Sequence, residues 1–155
     1  MVMINREHGL TSFWQDDFPV TNRYTYGLAG ERFFRGLKSG VIYGTRCQSC
    51  NITYVPAAAF CERCLSELTD WLDVGIQGFI YTYTQLFVDI DGFPLQNPEI
   101  VALIRIADGG IIHKVSGITN DNIHIGQIVE AVFKSAVERQ GAITDIQYFK
   151  PVSNE

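Results

Sequence analysis

The chain has 155 residues, of which 46% are hydrophobic and 19% charged, a composition typical of one or two small folded domains. Its net charge of -5 is unevenly distributed along the chain. Residues 1–64 carry seven Lys or Arg against five Asp or Glu, and residues 65–155 carry five Lys or Arg against twelve Asp or Glu. Nucleic-acid affinity depends on clustered cations, so this acidic C-terminal part argues against a nucleic-acid partner. No apolar run approaches the roughly 20 residues of a membrane span, and no secretory signal is apparent. We therefore expect a cytoplasmic protein with no membrane partner.

The first 27 residues lack a clear periodicity but are rich in aromatic side chains: Phe13, Trp14, Phe18, Tyr24 and Tyr26. Two interpretations of this arm remain open. It either packs back across its own domain or docks into a partner, since Trp and Tyr are common anchors of interfaces.

Residues 28–39 predict a helix that ends at Gly40. Leu28, Phe33, Phe34 and Leu37 cluster on one side, and the charged residues face outward. Such an apolar face must be buried, and we expect another chain to bury it, because little of this chain lies beside it. The predicted partner interface therefore comprises Phe13, Trp14, Tyr24, Tyr26, Phe33, Phe34 and Leu37.

All four cysteines of the chain lie in two Cys-x2-Cys knuckles, Cys47 with Cys50 and Cys61 with Cys64. Two such turns complete the four-sulfur tetrahedron that zinc prefers. The alternatives are two disulfides, a redox dithiol or a rubredoxin-like iron site, but a redox dithiol needs only one knuckle and disulfides favour a secreted chain. We predict a closed, structural zinc site that leaves no thiol free as a nucleophile.

Short strands at 41–46, 51–55 and 68–74 are expected to form a ribbon around these knuckles. A module of about 30 residues has almost no hydrophobic core, so metal binding must supply its folding energy.

From residue 75 onward the pattern predicts five strands, at 79–89, 100–107, 111–118, 129–137 and 142–149. The second is apolar enough to suggest burial on both faces, and Asp108-Gly109-Gly110 predicts a hairpin turn after it. This order is typical of a five-stranded OB-fold barrel. The predicted protein is mostly β, with an N-terminal arm and helix at 1–40, a rubredoxin-like zinc ribbon at 41–74 and the OB-fold at 75–155.

No catalytic constellation is apparent in the sequence. His8, His113 and His124 have no carboxylate or serine at a diagnostic spacing, and no hydrolase, metalloprotease or phosphate-loop motif occurs. Asp89 and Asp91 beside Gly92 are explained as polar turn residues. We therefore predict no catalytic residue in this chain.

Five basic residues are candidates for phosphate contacts. Arg32, Arg35 and Lys38 are spaced three apart on the helix, as residues that share one face, and Arg46 and Arg63 flank the knuckles. They are either a solvated surface or a small patch for the phosphates of a nucleotide-bearing cofactor such as coenzyme A.

The layout of residues 24–152 resembles a known family of acyl-CoA-associated proteins with a helical arm, a rubredoxin-like zinc ribbon and an OB-fold. The matching segments are 33–37, the double knuckle with 54–56 between its halves, 78–84, 125–129 and 149–152. Members accompany thiolases as small subunits, and the chain is similar in particular to the small subunits of thiolases in anaerobic aromatic degradation, such as 2-(α-hydroxybenzyl)succinyl-CoA thiolase.

This resemblance implies a non-catalytic accessory subunit in a hetero-oligomer with a thiolase-type catalytic subunit. It further implies structural Zn²⁺ on Cys47, Cys50, Cys61 and Cys64, coenzyme A or acyl-CoA at the partner interface, and a role in shaping the substrate channel. The alternative is a nucleic-acid-binding module that stacks bases on Tyr81 and Tyr83.

Overall fold

The computed structural model describes residues 2–3, 14–15, 25–89, 91–119 and 121–152. Before residue 25 it describes only the backbone of two short strands, β1 (Val2–Met3) and β2 (Trp14–Gln15), which pair antiparallel. Phe13, Phe18, Tyr24 and the Trp14 side chain lie outside the described residues, so their interface role stays a prediction. No helix within the described ranges is long and apolar enough to cross a membrane.

The predicted helix is confirmed as α1 (Gly27–Ser39). Gly40 ends it with a φ of 79°, and its N–H donates to the Leu37 carbonyl at 2.9 Å. Phe33 and Leu37 are only 3% and 0% exposed, because they pack into a core that the chain itself provides. The expectation that their face waits for another chain is therefore wrong for these two residues. Periodicity shows that a face must be buried, but it does not show by what.

The zinc-ribbon region forms a three-stranded antiparallel sheet in the order β4-β3-β5, from β3 (Tyr43–Cys47), β4 (Ile52–Tyr54) and β5 (Asp70–Asp73). Thr45 on the central strand lies opposite both Tyr54 and Trp71. The three expected strands are present: β4 and β5 are shorter at both ends than expected, and β3 begins two residues later and ends one residue later, at Cys47.

The C-terminal part forms a closed barrel of five strands: β6 (Gln77–Val88), β7 (Pro94–Ile106), β8 (Gly109–Val115), β9 (Ile128–Phe133) and β10 (Ile146–Pro151). Its order is β10-β8-β7-β6-β9, with β8 and β10 parallel and the other neighbours antiparallel. The first three strands form a meander, and the fifth closes the barrel between the third and fourth. This is the Greek-key order of an OB-fold, so the predicted fold class is confirmed.

Strand β7 corrects the prediction in two ways. It begins at Pro94 rather than at residue 100, and its burial alternates, because Ile100, Ala102, Ile104 and Ile106 are buried while the residues between them are half-buried. Burial on both faces was therefore wrong, since a barrel buries only one side of each strand. The hairpin turn to β8 is Ala107-Asp108, one residue earlier than expected, with Ala107 at a φ of 50°.

One large hydrophobic cluster joins α1, the ribbon region and the barrel. Phe33 and Leu37 of α1, Ile42 and Val55 of the ribbon region, and twelve buried side chains of the barrel belong to one cluster. The boundaries at residues 40 and 74 stay a prediction, but burial does not stop at either of them.

The loop from β9 to β10 is held by a buried carboxylate. Asp145, 1% exposed, ends the short 3-10 turn Ile143–Asp145 and accepts hydrogen bonds from the backbone N–H groups of Gln140, Gly141 and Ala142 at 2.9, 2.7 and 3.2 Å. Burial alone would raise the pKa of Asp145, but these three donors lower it below its usual value. The loop is therefore fixed where it packs against α1.

Candidate metal centre and its surroundings

The two knuckles have equivalent backbone turns. In each, the residue after the second cysteine lies in the left-handed region, Asn51 at a φ of 54° and Leu65 at 60°. In the first knuckle the Cys50 N–H donates to Cys47 Sγ at 3.4 Å, and in the second the Leu65 N–H donates to the Cys61 carbonyl at 2.9 Å. These turns aim both pairs of sulfurs at one point.

The four sulfurs form one cluster. All Sγ atoms lie within 4.8 Å of one another, and those of Cys47 and Cys64 are 3.5 Å apart. Tetrahedral zinc with Zn–S bonds of ~2.3 Å requires sulfurs separated by ~3.8 Å, so the donor set fits the ion. A site with four thiolates has no open coordination position, and zinc bound there stabilises the fold.

Hydroxyl groups around the sulfurs support the site. The Tyr54 hydroxyl accepts from the Glu62 N–H at 3.0 Å and lies 3.2 Å from Cys61 Sγ, and Ser66 Oγ lies 3.0 Å from Cys64 Sγ. Hydrogen bonding from Tyr54 lowers the pKa of the Cys61 thiol to about 6, which favours the thiolate that binds metal. Sequence reasoning missed both hydroxyl residues, although Ser66 lies two positions after Cys64.

The ribbon is fastened to the barrel at the β7–β8 turn. The Gly110 N–H donates to the Val55 carbonyl at 2.8 Å, and the Thr53 N–H donates to Asp108 Oδ2 at 2.9 Å. An open cavity of about 620 Å³ lies at this junction, with Arg63 in its lining beside Glu62 and Asp108. Because two acids line the same cavity, its surface is not uniformly positive.

The five candidate basic residues do not form one patch. The Arg32 guanidinium lies over the Trp71 ring, 4.4 Å from its centroid, and Arg35 forms an ion pair with Glu31 at 2.7 Å. Side chains six positions apart on a helix differ in direction by roughly 120°, so the expectation of one shared face is wrong for Arg32 and Lys38.

The remaining basic candidates also differ in their contacts. Arg46 Nη2 donates to Asn51 Oδ1 at 2.5 Å. Among the described residues, Arg63 and Lys38 form no ion pair or side-chain hydrogen bond. Within the described ranges they are therefore the two candidates whose side chains make no ion pair, hydrogen bond or ring contact.

The described residues contain no catalytic constellation. His113 Nε2 lies 3.4 Å from the Ile143 carbonyl and the ring packs edge-on against Phe149, while His124 is exposed. Asp89 hydrogen-bonds within its own turn, and His8 lies outside the described residues.

Of the two tyrosines that could stack bases in the nucleic-acid alternative, only Tyr81 is exposed. Tyr83 is half-buried against the core, with its hydroxyl 3.5 Å from the Ile123 carbonyl. Tyr81 is 53% exposed, but the Arg105 guanidinium lies 5.6 Å from its ring centroid.

Comparisons with known proteins agree with this architecture. The family model for the ChsH2 rubredoxin-like zinc ribbon domain matches residues 34–69, and the model for the ChsH2 C-terminal OB-fold domain matches residues 71–134. A DUF35 domain-containing scaffold protein of Methanocaldococcus jannaschii is 30% identical over 118 residues, which cover 73% of this chain and 83% of the relative.

Two solved structures share the fold. A DUF35-family protein with unknown function from Sulfolobus solfataricus superimposes with a TM-score of 0.64 and 27% identity, over 81% of this chain and 87% of that one. A structure described as Ltp2-ChsH2(DUF35) aldolase gives a TM-score of 0.58 and 22% identity, over 86% and 98%. With its four-cysteine ribbon and its OB barrel, this chain belongs to the DUF35 family of ChsH2-type zinc-ribbon and OB-fold proteins.

Proposed function

We propose that this protein is a non-catalytic, zinc-containing scaffold subunit of a thiolase-type acyl-CoA enzyme, assembled as a hetero-oligomer in the cytoplasm. The observation that carries the proposal is the relationship to a DUF35 domain-containing scaffold protein across 83% of that relative. The fold shared with the Ltp2-ChsH2(DUF35) aldolase supports an enzyme partner.

The metal centre supports a structural role. A four-thiolate zinc site has no position for substrate, and the described residues offer no nucleophile with an adjacent base. In this proposal the partner subunit supplies the catalytic residues, and this chain supplies a rigid surface that helps to shape the CoA and substrate channel.

The partner contact at the helix lies at its N-terminal end. Tyr26 and Leu28 are 69% and 76% exposed, and the Tyr26 ring packs on half-buried Phe34 at 4.7 Å. Phe33 and Leu37 hold α1 on its own barrel and contribute to the interface only by positioning these residues. The arm residues Phe13, Trp14 and Tyr24 extend the same proposed contact.

Coenzyme A or acyl-CoA is proposed to lie where this subunit meets the enzyme. Lys38 and Arg63 are the first candidates for its phosphates, because the charges of Arg32, Arg35 and Arg46 already have partners within the chain. Nucleic acid is not the expected ligand, since residues 65–104 contain six acidic residues and no Lys or Arg.

Co-expression with a thiolase from the same organism tests the assembly. We expect co-elution in size-exclusion chromatography, no thiolysis by this chain alone, and higher activity or solubility of the thiolase in the complex. Y26S/L28S should weaken the complex, whereas V137S, which alters a side chain that is 93% exposed on the β9–β10 loop, should not. Separate elution with full activity of the lone thiolase would refute the proposal.

The CoA contact is tested separately in the assembled complex. K38A/R63A is expected to raise the KM for CoA without changing kcat. K150A is the matched control, because Lys150 is a barrel cation paired with Glu130 at 3.2 Å. If the KM for CoA is unchanged in K38A/R63A, the phosphate contact is wrong while the scaffold role stands.

A further inference from the structure

The β6–β7 hairpin extends beyond the barrel. Pairing of β6 with β9 ends at Phe79, and pairing of β7 with β8 begins only at Ile100. The pairs Leu86 with Glu99 and Val88 with Pro94 lie past both limits. Residues 86–89 and 91–98, called here the hairpin finger, therefore belong to a part of the hairpin that no third strand joins within the described part of the chain.

The end of this finger is apolar and exposed. Phe87, Val88 and Phe93 are 60%, 51% and 66% exposed, and Leu86 is 39% exposed. An exposed apolar tip on a two-stranded ribbon is prone to bind another chain, and soluble proteins usually protect such strand edges with Lys or Pro. The finger contains Pro94 and Pro98 but no Lys or Arg, and its apolar end contributes nothing to the described core.

Four hydrogen bonds join described residues of the finger tip. Asp89 Oδ1 accepts the backbone N–H groups of Asp91 at 3.0 Å and Phe93 at 2.8 Å. The Asp89 N–H donates to the Phe93 carbonyl at 2.9 Å, and the Gly92 N–H donates to the Asp89 carbonyl at 3.1 Å. These hydrogen bonds preorganise the described tip residues, which lowers the entropy cost of binding.

Charge decides what the finger fits. It lies within a stretch of 40 residues, 65–104, that carries six acidic side chains and no Lys or Arg, and Asp89 and Asp91 flank its apolar tip. A second copy paired tip to tip would bring the same acidic side chains, and a nucleic acid would bring phosphates, so neither is complementary to the tip. An apolar pocket bordered by Lys and Arg complements both features.

We propose that the hairpin finger is a docking element that inserts Phe87, Val88 and Phe93 into an apolar, basic-rimmed pocket on the partner enzyme subunit. The inference rests on the proposed scaffold function and names residues other than those of the proposed arm and α1 contact. The apolar side chains hold the complex together, and the acidic tip steers its formation.

Binding kinetics between the full-length chain and the purified thiolase subunit test this assignment. We expect F87S/F93S to dissociate at least about tenfold faster than the wild type, as buried aromatic anchors do on truncation. We expect D91K to associate more slowly, and its association rate to depend less on salt between 50 and 500 mM. V137S is the control. Zinc content and Tm are measured for each variant and should be unchanged, because all the altered side chains are exposed.

Each result separates the two proposals. If the wild type binds and F87S/F93S binds equally well with normal zinc content and Tm, the finger is not a docking element and the scaffold function stands. If the wild type does not bind at all, the scaffold function fails and the finger assignment fails with it. If light scattering shows a wild-type dimer that F87S/F93S converts to a monomer, the finger pairs with a second copy, and the assignment to an enzyme pocket is overturned.

Discussion

Loss of the zinc site is expected to destabilise the barrel as well as the ribbon. In Cys61→Ser a buried ligand thiolate is replaced by a hydroxyl, while its neighbour Tyr54 stays in place. Structural zinc contributes on the order of 10 kcal/mol to the folding of such a module. The ribbon sheet has almost no core of its own, so we expect it to unfold in this variant.

The cost to the barrel follows from the shared core. Ile42 and Val55, 0% and 5% exposed, pack in the same cluster as the barrel side chains. Burial of each is worth about 1.5–3 kcal/mol. The two hydrogen bonds to Asp108 and Gly110 add about 0.5–1.5 kcal/mol each. A loss of roughly 4–9 kcal/mol is comparable to the whole stability of an ordinary domain, about 5–15 kcal/mol.

Calorimetry with elemental analysis measures this effect. At about 2–4 °C per kcal/mol, the Tm of the barrel transition should fall by at least ~8 °C in Cys61→Ser. Chelator-treated wild type should show the same fall, and added zinc should reverse it in the wild type but not in the variant. A barrel transition that keeps its Tm after zinc is lost would show that the ribbon and barrel are energetically independent, and would refute the reasoning.

Three further predictions concern single positions. Asp145→Asn should lower the free energy of unfolding by about 2–4 kcal/mol at pH 7, because an amide cannot accept all three N–H bonds as a charged carboxylate does. The pKa of Asp145 is lowered in the folded state, so the carboxylate stabilises the fold above about pH 4, and that contribution is lost as the pH falls through the folded pKa. Urea titrations should therefore show the difference between the two proteins narrowing below about pH 4, and a constant difference would contradict this assignment. Gly109→Ala should loosen the ribbon, because a Cβ there would lie 2.8 Å from the Val55 Cα and closer still to the Val55 backbone N and O, and limited proteolysis should cut the ribbon of the variant first. Leu65→Gly should slow zinc loss to a chelator by relieving about 1 kcal/mol of left-handed strain at Leu65. Asn51→Gly should change the rate of zinc loss less, because Asn tolerates that conformation. Equal rates of zinc loss for Leu65→Gly and the wild type would count against the strain.

Much of the architecture was predictable because it depends on local patterns. Two Cys-x2-Cys turns need only their own backbone to aim four sulfurs at one point, and strand alternation with turn residues specified five barrel strands in OB order. The helix was predictable for the same reason, since its period and Gly40 are read from consecutive residues. These features are confirmed in the fold.

Other properties depend on which distant segments meet. Nothing near Phe33 or Leu37 in the sequence indicates that the barrel covers them, and nothing near Arg32 indicates that Trp71 lies beneath its guanidinium. The start of β7 at Pro94 was missed because polar residues before Ile100 do not alternate as a half-buried strand does, and only pairing with β6 extends the strand. The sequence by itself therefore determined the metal ligands and the order of the strands. Tertiary structure alone decided which apolar faces stay exposed, because burial depends on contacts between segments far apart in the chain.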